Sequence, residues 1–270
     1  MFNSRESQPL LERHRFSIID IAIALKRCEF KAYYQPKVDL FDLELSGLEV
    51  LVRWEHPVLG TLTPDNFINS VITGALLNEM THSLLDQAIT LHKKLSHKSI
   101  RTVMAINLEP SQVNDSCFIR SFIAQATSHA NFLTIEITER DGGLSDFPQF
   151  ARNAEKLKAA GFRLSIDDFG IGYSSLERIC KIPCSEIKID RAFIKNMFNH
   201  IKYRKMIQLM IDIGKCMHLN VVAEGIETHQ QLNLLQSLGC HQGQGYLFSA
   251  ALSSERIEQW CMKWSGCTLF

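Results

Sequence analysis

Carboxylates, amides and one ammonium recur where runs of apolar, β-branched residues end. They are Glu49 with Arg53 beyond it, Asn107, Glu136, the adjacent pair Asp167-Asp168, Lys188 with Asp190, Glu224 with Glu227, and Gln244. Any one of these alone reads as a salt-bridged or surface-tipped strand residue. Together they outnumber the cations near them, Lys188 being the only lysine in the set, and a buried unpaired carboxylate is costly. Carboxylate and amide oxygens are hard ligands, suited to Mg²⁺ or Mn²⁺ rather than Zn²⁺. Two such ions a few ångströms apart, bridged by a carboxylate, can hold a nucleophilic water and a phosphodiester for in-line attack. Asp167-Asp168 is the natural bridging element, because it stands where a strand opens into the loop FGIGYSS, whose Gly170 and Gly172 permit a sharp turn over a site. The histidines, among them His56, His92, His218, His229 and His241, fall mostly outside the strand interiors without metal-ligand spacing and read as surface or packing residues.

Converging these residues requires that their strands end on one face. SIIDIAIALKRCEF, N-capped by Ser17, has the spacing of an opening helix. Two strand-like runs follow, KAYYQPKVDL and ELSGLEVLVRW, joined by a turn around Asp42 short enough to make them antiparallel neighbours. Then strands alternate with helices: RTVMAINL, FLTIEIT, FRLSIDD, SEIKID, LNVVAEG and GCHQGQGYLF are separated by SLLDQAITLHKKL, CFIRSFIAQATSHA, FPQFARNAEKLKAAG, YRKMIQLMIDIGKCM and HQQLNLLQSLG. Gly161, Gly239 and the Asn220 position mark helix exits. Eight strands with crossover helices predict an α/β fold, a modified TIM (β/α)8 barrel with an antiparallel first strand, whose site lies at the C-terminal strand ends. A doubly wound open sheet is the alternative, weakened by the lack of a glycine-rich loop after the first strand.

The chain has 270 residues, 46% apolar and 21% charged, which suits one large globular domain over 17–270 behind a polar lead-in over 1–16. Twenty-nine basic residues balance 29 acidic ones, which argues against a nucleic-acid polymer as partner. The eight cysteines contain no C-x-x-C pair and read as free thiols of a reducing compartment. No signal-peptide pattern opens the chain and no run is long enough to insert in a membrane, so a cytoplasmic location is expected.

The segments YYQPKVDL, GLEVLVRWEHP, AINLEPSQ, IEITER, IDDFGIGYSSL, IKID, VVAEGIET and QGYLFS occur in the order that characterises one family. Over about Phe30 to Phe248 the chain resembles the EAL family of cyclic di-GMP phosphodiesterases. The resemblance implies metal-dependent hydrolysis of cyclic di-GMP to linear pGpG, lowering this messenger in the bacterial signalling that governs biofilm formation and motility. It implies two Mg²⁺ or Mn²⁺ ions per site, with Ca²⁺ inhibitory. Glu49, Asn107, Glu136 and Asp167 match ligands of the first metal, with Asp167 bridging. Asp168 and Glu224 match positions associated with the second metal or its water. Lys188 matches the lysine that contacts the attacking water, with Asp190 in the same segment, and Gln35, Arg53, Glu227 and Gln244 match positions near the substrate. Glu139 matches the glutamate that steadies the loop after Asp168, and that loop lies near a homodimer surface in the family.

The chain departs from the family pattern at three places. Val50 replaces the usual Ala of the signature tripeptide, Ile171 replaces the usual Thr of the loop, and FSAAL lacks the usual basic residue and proline. Strand alternation turns Val50 away from Glu49, so a packing change is expected there. Ile171 removes a hydroxyl from the loop and bears on rate and regulation. Two rival readings are a non-catalytic EAL-like cyclic di-GMP receptor or protein-binding regulator, and an unrelated Mg²⁺ barrel enzyme. The receptors usually lose metal ligands, which are all present here, and the segment order opposes the second.

Overall fold

The computed structural model describes residues 16–138, 147–170 and 179–264. In chain order the elements are α1 (Ile18–Lys26), β1 (Phe30–Asp39), β2 (Leu45–His56), β3 (Gly60–Leu62), α2 (Ile68–Thr73), α3 (Leu77–His97), β4 (Met104–Leu108), α4 (Pro110–Asn114), α5 (Ser116–Ala126), β5 (Leu133–Thr138), α6 (Phe147–Ala159), β6 (Arg163–Phe169), β7 (Glu186–Ile189), α7 (Arg191–Asn196), α8 (Ile201–Met217), β8 (Asn220–Ala223), α9 (His229–Leu238), β9 (Gln242–Gln244) and α10 (Ser254–Lys263).

Ser17 caps α1 through a capping box: its hydroxyl accepts from Asp20 N, and the Asp20 carboxylate accepts from Ser17 N. Phe16, on the lead-in side of the expected boundary, is buried with its ring 4.4 Å from that of Trp54. The turn after β1 is made by short acidic side chains, Asp39 accepting from Phe41 N and Asp42 from Glu44 N.

β1 pairs antiparallel with β2 on one side and β9 on the other. From β2 the order β4, β5, β6, β7, β8, β9 is parallel, and the β1 pairings close the circle into an eight-stranded barrel. β3 is an added hairpin strand on β2. Sequence reading gave no sign of it, since three residues are too few for a period, nor of α2, α4, α7 and α10. α3 begins at Leu77, ahead of the SLLDQ segment that its periodicity suggested. α8 ends on His218, which takes the left-handed conformation (φ 56°), so the exit assigned to Asn220 belongs two residues earlier and Asn220 opens β8. The exits at Gly161 and Gly239 do carry positive φ, 98° and 78°.

The strands alternate sharply. Ile106, Ile135, Ile137, Leu164, Ile166, Ile187, Ile189 and Val221 face the surrounding helices in one continuous core, while Asn107, Thr134, Glu136, Ser165, Asp167, Glu186 and Lys188 face the barrel axis. The apolar core is therefore the layer between strands and helices, and the barrel axis is polar.

Candidate active site

Lys188 is the centre of that axis. Its ammonium is fully buried and lies 2.6 Å from Glu224 Oε1, 2.8 Å from Glu136 Oε2, 3.3 Å from Asp167 Oδ1 and 3.5 Å from Glu49 Oε2. β2, β5, β6 and the end of β8 each bring one of those carboxylates. Glu49 is held further by Asn107 Nδ2, which donates to its Oε1 at 3.0 Å, and by Gln244 Nε2, which donates to its Oε2 at 2.5 Å. The same Gln244 amide donates to Glu224 at 3.1 Å.

Asp167 and Asp168 would point to opposite faces of a regular strand. Here the β6–β7 register shifts between Ile166 and Phe169, and Asp168 has a positive φ of 56°. These irregularities break the alternation. Carboxylate oxygens of Asp167, Asp168 and Glu224 lie within 4.8 Å of one another, in reach of a shared cation.

Four carboxylates around one lysine leave negative charge in excess. Burial, reinforced by the Glu49 and Asp167 charges, holds the Glu136 carboxyl well above the usual carboxylate range despite Lys188. Burial pushes Glu224 up to about 8, with Asp167 and Glu49 adding to the rise. For Glu49, burial is outweighed by Lys188 and by the Asn107 and Gln244 hydrogen bonds, so its value falls. Burial also disfavours the Lys188 ammonium, but the carboxylates of Asp167, Glu136, Glu224 and Glu49 prevail and raise it well above the ordinary lysine value.

These shifts set how the metal-free fold responds to pH. A carboxyl whose folded value is raised contributes stability that is full below its unfolded value and lost as pH climbs through the folded one. For Glu224 that window runs from 4.5 to about 8. The melting temperature of EDTA-treated protein should therefore fall between pH 5 and pH 8.5, and added Mn²⁺ should restore more of it at the higher pH. A flat profile in scanning calorimetry would contradict the arrangement.

The remaining sequence-derived residues sit around this cluster. Gln35 lies opposite Glu49 on the neighbouring strand and donates from Nε2 to Ser249 O at 3.1 Å. With Glu224, Glu227 and Gln244 it lines a cavity of about 160 Å³ that Arg191 and Tyr246 complete. Those two were not singled out by sequence reasoning, because each follows a strand end by only one or two residues in a segment noted for its neighbour. Arg53 stands at the rim, donating to Val52 O and placed 6.0 Å from the centre of the Tyr33 ring. Asp190 lies apart from the Lys188 ion pairs and caps α7, accepting from Ala192 N at 2.7 Å. Glu139 and Ile171 fall outside the described residues.

The EAL domain family matches residues 19–251. The chain belongs to that family. Among relatives of this EAL domain, the cyclic di-GMP phosphodiesterase RocR of Pseudomonas aeruginosa is 34% identical over 249 residues, covering 91% of this chain and 63% of RocR. The cyclic di-GMP phosphodiesterase NbdA of the same species is 36% identical over 242 residues, covering 87% of this chain and 30% of NbdA. This EAL domain thus spans less than two thirds of either relative. The solved structure of the PaMucR phosphodiesterase in its c-di-GMP complex superposes with a TM-score of 0.83 at 32% identity, covering 89% of this chain and 98% of that one. Among the described residues no helix is long and apolar enough to cross a membrane.

Proposed function

We propose that this EAL domain hydrolyses cyclic di-GMP to linear pGpG with the help of two divalent cations, Mg²⁺ or Mn²⁺. The observation that carries the reading is the convergence of Glu49, Asn107, Glu136, Asp167, Asp168 and Glu224 on one barrel mouth around Lys188. A receptor that only binds the dinucleotide has no need of so much uncompensated buried charge.

The residues suit hard cations. Glu136 Oε1 is buried without a hydrogen-bond partner, and the Asn107 amide hydrogens are directed to Glu49, which leaves its carbonyl oxygen as a further hard donor. On this reading Glu49, Asn107, Glu136 and Asp167 would hold one cation, and Asp168 and Glu224, with Asp167 also in reach, would hold the second. When bound, such cations would supply Lewis-acid polarisation of the phosphodiester and would lower the pKa of an attacking water. Lys188, fixed by its carboxylates, orients that water by donating to its oxygen and stabilises the negative charge that develops as it attacks. Gln35, Glu227, Gln244 and Arg53 offer amide, carboxylate and guanidinium groups to the guanines and phosphates around the mouth. Ca²⁺, larger and less demanding in geometry, should bind the same oxygens without holding them for in-line attack and so inhibit.

Incubation with cyclic di-GMP and Mg²⁺, with and without EDTA, should yield pGpG only in the first case. Retention of intact cyclic di-GMP with measurable binding would favour the receptor reading instead. A cytoplasmic homodimer belongs to the same proposal, supported by the family resemblance.

A further inference from the structure

A second buried cation lies in the barrel axis outside the cluster just described. Lys37 and Glu186 are both buried, and Lys37 Nζ is 2.8 Å and 3.0 Å from the two oxygens of Glu186. Strand alternation puts each on the same face as a site residue two positions away, Lys37 below Gln35 on β1 and Glu186 below Lys188 on β7. Gly47 pairs with Lys37 across the β1–β2 ladder, and a Cβ there would stand 3.2 Å from Lys37 Cε. The glycine makes room for the lysine stem.

The spacing on β7 creates a problem that Lys37 solves. Glu186 and Lys188 are roughly 6.6 Å apart along one face of the strand, within the swing of a lysine side chain. A bare Glu186 carboxylate would compete with Glu136 and Glu224 for the Lys188 ammonium. With Lys37 on both its oxygens, Glu186 is satisfied, and Lys188 stays with the mouth carboxylates.

We infer that Lys37 is a positioning residue: by neutralising Glu186 it keeps Lys188 at the mouth of the barrel and sets the charge balance against which divalent cations bind. The effect on turnover rests on the phosphodiesterase reading. The effect on cation binding does not.

The two groups of the pair carry opposite charge, so their removal has opposite consequences. Lys37→Met leaves an extra negative charge and a competitor for Lys188. Mn²⁺ binding, measured by titration calorimetry, should tighten by on the order of tenfold while turnover of cyclic di-GMP falls by about as much. Glu186→Gln leaves Lys37 uncompensated, and Mn²⁺ binding should weaken by on the order of tenfold. The double variant Lys37→Met/Glu186→Gln removes both charges, and affinity and turnover should return to within about threefold of the parent.

A strut with only a packing role predicts weaker binding and lower activity in all three, and that pattern overturns the inference. So does an unchanged Mn²⁺ affinity, or a parent protein that binds no Mn²⁺. If Lys37→Met does not fold, Glu186→Gln and the double variant still decide: weakening in the first without recovery in the second counts against it. A parent that binds Mn²⁺ but leaves cyclic di-GMP intact refutes the phosphodiesterase reading, and the opposed affinity shifts then test the positioning role alone.

Discussion

Replacing Glu49 by alanine should reduce hydrolysis of cyclic di-GMP by about 10³-fold or more in protein that still folds, although the metal-free melting temperature should fall because Asn107, Gln244 and Lys188 lose a buried acceptor. The size follows from the several kcal/mol that Lewis-acid stabilisation supplies, at about 1.4 kcal/mol for each tenfold in rate. Glu49 does more than offer oxygens. Its two oxygens collect Asn107, Gln244 and Lys188, so it aligns three other groups of the mouth. Glu49→Gln keeps the size and one acceptor but loses the charge, and should be nearly as inactive. Product chromatography across a Mg²⁺ series reads the loss. An alanine variant with parental turnover at saturating Mg²⁺ would remove Glu49 from the chemistry.

Lys188→Met should have the second large effect and a different signature. The ammonium touches four carboxylates, so its removal should lower turnover by about 10²- to 10⁴-fold, the range of a positioned proton-handling group. Cyclic di-GMP affinity should change little, because the interaction matters chiefly in the transition state. The variant also leaves the carboxylates without their buried partner, and breaking a buried pair costs about 3–5 kcal/mol. The metal-free variant should therefore melt well below the parent, and Mn²⁺ should recover more of its melting temperature than it does for the parent. Normal turnover at saturation with collapsed affinity would make Lys188 a phosphate clamp instead.

Much of this site is legible in the sequence because parallel barrel strands are usually apolar on both faces. Runs such as LTIEIT and RLSIDD break that habit every second residue, and each break is an inward-facing polar group. That pattern located Asn107, Glu136, Asp167, Lys188 and Glu224. The Lys37–Glu186 pair carries the same signal and was passed over, since one residue stands in a strand running the other way and the other at a strand start, away from the expected mouth. Asp190 shows the opposite limit. A carboxylate beside a strand end reads as a site residue, but residues at that point also cap helices, and Asp190 caps α7. The short elements β3, α2, α4 and α7 had too few residues for any period to emerge, and their bounds are set by packing and capping.

The reversal of β1 has a topological consequence. In a barrel of uniformly parallel strands the chain enters at the end remote from the active site. Here Phe30, the first residue of β1, pairs with Trp54 near the exit end of β2, so the polypeptide arrives at the rim of the barrel mouth and runs downward from it. α1 is moored on that rim, with Ile18 against Gly74 at the end of α2. Only a few residues of β1 and one ladder step to β2 separate α1 from Tyr33, Gln35 and Arg53. α1 and the aperture therefore share one end of the barrel.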